Sequence, residues 1–153
     1  MVHSTSTAAA RFGRSASAPR HRVELLRAAE DLERVTAAPA RDPAWLTQVA
    51  RRLAALRSAL TEHIVATEGS DGLYAELLGY APRLNRGVAG LVAEHGALLV
   101  AVDALARQVH RPHVSPEIIR DAGEELLADL ALHRQRGADL IYEAYATDIG
   151  GET

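Results

Sequence analysis

Residues 43–68 read PAWLTQVARRLAALRSALTEHIVATE, and the placement of their apolar side chains decides the fold. Val49, Leu53, Leu56, Leu60 and His63 recur at three- and four-residue intervals, the spacing that lines one face of an α-helix. Pro43, following Asp42, marks the start, because proline lacks the N–H that a first turn leaves unpaired anyway. The stripe ends in an imidazole where another aliphatic group would be expected. The same construction recurs three more times along the chain.

On the N-terminal side, His21 is in line with Leu25, Ala28, Leu32 and Val35. On the C-terminal side, His95 continues Val88 and Leu91 toward Leu98 and Val102, and His133 follows Ile119, Leu126 and Leu130 and precedes Leu140. The periodicity predicts four long helices. The first covers about 20–37 and is closed by Ala38-Pro39; the second runs from Pro43 to about Thr67. The third starts near Ala81 with Pro82 and ends near Val109; the fourth has Ser115 as N-cap, Pro116 at its first position and Glu117 in its first turn, and runs to about Thr147. GSDG at 69–72 breaks the chain before a short helix, LYAELLGY, at 73–80. Short connections after the first and third helices favour antiparallel neighbours. The expected fold class is therefore all-α, an up-down-up-down four-helix bundle. In that topology His95 and His133 share one level, as do His21 and His63. A single histidine on an apolar face is most often a core residue bonded to a carbonyl. One on each of four helices instead suggests a metal centre, since bundles build such sites from side chains on facing helices.

A chain of 153 residues, 48% of them hydrophobic, is the size of one compact domain. The absence of cysteine excludes thiolate metal sites, disulfides and cysteine nucleophiles. No apolar run of membrane-spanning length and no signal-peptide core is read, so the expectation is a cytoplasmic protein without a membrane partner. The arginines are dispersed rather than gathered on one helix face, which argues against nucleic acid. Residues 1–19, with Arg11 and Arg14 and no acid, read as a disordered basic arm; 20–148 form the bundle and 149–153 a tail. No P-loop, dinucleotide fingerprint, HExxH or serine nucleophile elbow is present.

The four inward histidines, the Glu94-His95 pair after a proline-started helix, and the segment HIVATEGSDGLYAELLGYAP at 63–82 resemble the hemerythrin-like HHE cation-binding family. HRQRGADLIYEAYATDIGG at 133–151 is similar to a bacterial branch of it. The resemblance covers about residues 20–148 and implies a bundle whose histidines and two bridging carboxylates hold a non-haem iron pair, with roles in dioxygen binding, sensing, or nitric oxide and peroxide chemistry. His21, His63, His95 and His133 match the family's histidine on each successive helix.

The carboxylates depart from the family pattern. The family's glutamate on the second helix falls on Thr67, with Glu68 one step on, about 140° around the helix from His63. On the fourth helix the expected acid falls on Gly137 or Ala138, and a second histidine found in some members is Leu99. Two close cations need bridging oxygens, so the resemblance narrows to a mononuclear or degenerate di-iron site. Its candidate ligands are His21, His63, His95 and His133 with Glu68 or Glu24, and iron or another transition metal is the expected ion. The expected role is sensing or redox and stress protection, with no commitment to an enzyme. Two other readings stay open. One is a bundle that has lost its metal and acts through a protein partner or homo-oligomer; the other is a cavity beside Gly137 that takes a small ligand or haem. Tyr142, Tyr145, Asp129, His110 and His113 are weaker candidates.

Overall fold

The structure is a computed structural model that describes residues 18–149. All regular structure among the described residues is helical. α1 is Ala18–Ala37, α2 Trp45–Glu68, α3 the short Leu73–Tyr80, α4 Asn85–Val109 preceded by a 3-10 turn at Pro82–Leu84, and α5 Pro116–Ile149. α1 packs on α2, α2 on α4, α4 on α5 and α5 on α1, so the four long helices enclose one interior, while α3 lies against α2 and α5. Most of the predicted arm and tail, residues 1–17 and 150–153, lies outside the described residues.

Two helix starts differ from expectation for local reasons. α2 begins at Trp45, two residues after Pro43, because Asp42 holds a turn: its Oδ1 accepts from the Ala44 N–H at 2.9 Å and its carbonyl from the Trp45 N–H at 3.0 Å. Pro82 opens a single 3-10 turn, and the α-helix starts only at Asn85. The last long helix starts at Pro116 as expected, with Ser115 ahead of it: the Ser115 carbonyl accepts from the Ile119 N–H, and its hydroxyl donates to the Glu117 carboxylate.

Trp45 and Arg120 fix the end of the bundle remote from the histidines. The Trp45 indole N–H donates to the Val35 carbonyl at 2.8 Å. Arg120 donates to the carbonyls of Thr36 and Ala38, each at 3.0 Å, and places its guanidinium over the Trp45 ring at 5.3 Å. One cation thereby satisfies carbonyls that the end of α1 leaves open and ties α1, α2 and α5 together.

The core is divided. A large apolar cluster runs through Leu32, Leu53, Leu56, Leu98, Leu105, Ile119 and Leu130. A smaller one joins Tyr74, Leu77, Leu84, Val88, Leu91, Leu140 and Ala144. Between them in sequence stand the histidines: His95 separates Leu91 from Leu98, and His133 separates Leu130 from Leu140. A polar layer therefore interrupts an otherwise continuous apolar interior.

One segment, Pro82–Val109, is long and apolar enough by length and composition to cross a membrane, contrary to the expectation that no run reaches that length. Alanine, glycine and valine raise its average without bulky side chains, and between Gly87 and Ala104 only Glu94 and Asp103 carry charge. Its Val88, Leu91, Leu98, Val102 and Leu105 are buried among the other helices.

Candidate metal centre

α1, α2, α4 and α5 each deliver one imidazole to a common level: His21, His63, His95 and His133 are 5%, 7%, 1% and 3% exposed. Ring centroids are 4.9 Å apart for His21 and His63, 5.1 Å for His63 and His95, 5.6 Å for His63 and His133, and 4.6 Å for His95 and His133. One ring nitrogen from each of His63, His95 and His133 lies within 4.8 Å of the other two, close enough for all three to hold one metal ion. His21 stands beside this triad.

Each triad imidazole is oriented through Nδ1. His95 Nδ1 is 3.1 Å from Glu68 Oε2, and His133 Nδ1 is 2.6 Å from Glu94 Oε2. An ionised carboxylate only accepts, so in both rings Nδ1 carries the hydrogen and Nε2 presents its lone pair. That is the tautomer a metal requires, fixed by the partner that metal-binding histidines commonly have. Glu94 is itself held by Arg136, whose guanidinium donates to Oε1 at 2.6 Å.

His63 meets a second imidazole instead of an acid, with Nδ1 2.9 Å from His21 Nδ1. Two neutral rings share only one N–H between facing nitrogens. With His63 as donor, its Nε2 becomes a lone pair like the other two, and His21 accepts. The Nε2 atoms of His21, His63 and His95 are all buried with no protein hydrogen-bond partner. Orphaned polar atoms in an interior are costly, of the order of 1–3 kcal/mol each, and are usually retained for a reason.

Burial dominates the electrostatics. It drives His63 down to about 3, reinforced by the three neighbouring imidazoles and Arg22. It also lowers His95, against the pull of Glu68, and lowers His21, with Arg22 acting in the same direction. Burial thus favours the neutral form of His21, His63 and His95, the form in which an imidazole binds metal. Burial would raise the Glu94 carboxyl, yet hydrogen bonds from Arg136 and His133 outweigh it and hold the group below its ordinary value. Tyr74 from α3 lies parallel to the His95 ring, 5.9 Å away and inclined by 12°; burial pushes its hydroxyl up to about 12 although a hydrogen bond with Thr67 opposes this.

The turn between α2 and α3 positions Glu68 and Tyr74, and it depends on Gly72. A Cβ there would lie 2.7 Å from the Thr67 carbonyl oxygen and 2.9 Å from those of Ala66 and Gly69. Backbone oxygens at a helix end cannot retreat as a side chain can. Gly72→Ala is expected to destabilise the protein by roughly 1–3 kcal/mol and to loosen Glu68 and Tyr74. Denaturant unfolding reads the first effect and NMR of the His95 imidazole the second.

Of the sequence candidates, Glu68 reaches the cluster without any unwinding of α2, by contacting His95 on the neighbouring helix rather than His63 on its own. Glu24 is exposed and is not brought into the cluster; its influence is a weak electrostatic one on His21. Tyr142 is 74% exposed and Asp129, His110 and His113 are also on the surface. Two contributors went unread as site residues, Glu94 and Tyr74. Glu94 is one residue from His95 and so lies off that histidine's face, but the crossing of α4 and α5 turns it toward His133.

A cavity of about 160 Å³ adjoins the cluster, with His63, His133, Tyr74, Thr67, Arg22 and Gly137 among its walls. That is about half the volume of the smaller pockets that take drug-sized ligands, about 300 Å³. No family model, curated protein or solved structure matches the chain.

Proposed function

We propose that this protein binds one transition-metal ion, non-haem iron or another first-row metal, through His63, His95 and His133, and serves a sensing or redox-protective role. The observation that carries the reading is the convergence of three buried ring nitrogens whose rings are each anchored at Nδ1 by Glu68, Glu94 or His21. Nε2 of His63 and of His95, like that of His21, is buried without a protein partner, and an ion on the triad would satisfy the first two. The donor set suits an ion that accepts imidazole, and three protein ligands leave a coordination position open.

We further propose that the bundle is a divergent relative of the hemerythrin-like proteins. The short connections at 38–44 and 110–115 suit antiparallel neighbours, and one histidine per long helix matches that family's pattern. An iron pair does not fit these residues. Glu68 and Glu94 each turn a carboxylate oxygen to an imidazole, and Thr67, Gly137 and Ala138 carry no carboxylate where the family pattern has one. When bound, a single ion would supply Lewis acidity and, for iron, one-electron chemistry. The chain's own contribution is to keep the imidazoles neutral and aimed, to cover His95 with the Tyr74 ring, and to seal the site between two apolar clusters.

Loading the purified protein anaerobically with Fe(II), and separately with Co(II) and Zn(II), is expected to give close to one ion per chain by elemental analysis after desalting. Two ions per chain would overturn the mononuclear assignment. No retained ion of any of the three would overturn the metal reading altogether.

A further inference from the structure

We propose that the cavity beside the histidines is a binding site for a small monoanion of the carboxylate class, about the size of acetate. For the anion's position next to a metal the proposal rests on the function above; its charge argument stands without the metal.

The wall chemistry is one-sided. Arg22 from α1 and Arg134 from α5 both line the cavity, and no aspartate or glutamate does. Neither arginine has a carboxylate partner among the described residues, whereas Arg34, Arg52, Arg57 and Arg136 all do. Arg22 and Arg134 are exposed overall, and the part of Arg22 that is withdrawn from water lowers its guanidinium from its usual value. An unpaired guanidinium is a fork for two oxygens of one carboxylate. The remaining polar groups are the Thr67 and Tyr74 hydroxyls and the imidazoles of His63 and His133, none of which carries negative charge, and Leu25, Leu77, Leu140 and Ile141 are among the apolar walls.

Size sets the upper limit. About 160 Å³ is close to the volume of a buried cavity that takes benzene, so the site suits ligands of up to roughly six non-hydrogen atoms. Gly137 is one of the cavity walls. This residue lies one helical turn beyond His133 on the same face of α5, and a Cβ built on it would meet nothing within 4 Å. A side chain at 137 would lean back over His133, into the cavity. The gap thus combines anion-attracting walls, a small volume and direct access to two of the three metal-binding imidazoles.

The test uses acetate and its neutral isostere acetamide as probes on the full chain, both metal-free and loaded with Co(II). Binding is followed by chemical-shift changes in the metal-free protein and by the visible spectrum of the Co(II) form. Acetate is expected to bind saturably and at least about tenfold more tightly than acetamide, a difference of about 1.4 kcal/mol. In the metal-free protein, Gly137→Leu is expected to weaken acetate at least about tenfold, and Arg22→Gln to weaken it by a similar factor. Equal affinity for the two probes, or parent-like acetate binding by Gly137→Leu, would overturn the proposal. Co(II) uptake is scored separately. If the ion is not retained, the metal reading fails, and the acetate and acetamide titrations of the metal-free protein still decide the cavity.

Discussion

Replacing His95 with alanine is expected to lower metal affinity by at least about 100-fold, more than any change outside the triad. Loss of a residue that merely orients a ligand typically costs 10–100-fold, and His95 is itself a ligand in this assignment. Its removal also leaves Glu68 without the N–H that it accepts from. His63→Ala and His133→Ala should behave alike, whereas His21→Ala, which removes only the partner of His63, should fall in the 10–100-fold range. Competition with a chelator of known affinity gives the ranking. The fold is expected to survive: the cavity left at a 1% exposed position costs up to a few kcal/mol, but the orphaned Nε2 disappears with the ring. Helical signal and denaturant midpoint report that separately from metal content. Uptake by His95→Ala equal to the parent's would refute the triad.

The metal-free protein is expected to lose stability steeply as pH falls from about 6.5 toward 4. His63 is held down to about 3 in the folded chain, against 6.5 for the free side chain, and His95 and His21 are also lowered by burial. A group with a depressed folded value binds its proton more readily in the unfolded chain. The stabilisation is therefore whole above pH 6.5 and declines as pH drops toward the folded value. Each histidine that stays neutral contributes a slope of up to about 1.4 kcal/mol per pH unit. For His63 that slope amounts to roughly 3 kcal/mol by pH 4, a large part of the about 5–15 kcal/mol that an ordinary domain has, and His95 and His21 act in the same direction. Glu94, held below its ordinary value, adds to the loss at the acid end of the range. Denaturant midpoints measured from pH 7 to 4 check this, and His63→Leu should flatten the profile by one histidine's share. A midpoint constant from pH 7 to 5 would contradict the neutral, buried state of the cluster. Bound metal should delay the transition, because it competes with protons for the same nitrogens.

The sequence by itself determined the helices and which face of each is buried. Val49, Leu53, Leu56, Leu60 and His63 share a stripe because 3.6 residues complete a turn, a rule internal to one helix. The same rule placed His21, His95 and His133 inward, and all four are buried. Glu24 shows where it stops: one turn from His21, it nonetheless projects into solvent.

What only the tertiary structure decided are relations between helices. Glu68 lies about 140° from His63 on α2, so reasoning along α2 alone sends it away from the site. It contributes because α4 passes beside the end of α2 and brings His95 to it. Glu94 meets His133 for the same reason across the α4 and α5 contact. The volume beside Gly137 likewise depends on how far α1, α2, α3 and α5 stand apart. Helical periodicity fixes angle about an axis, whereas the offset and crossing of axes come from the packing of whole helices, to which many distant side chains contribute at once.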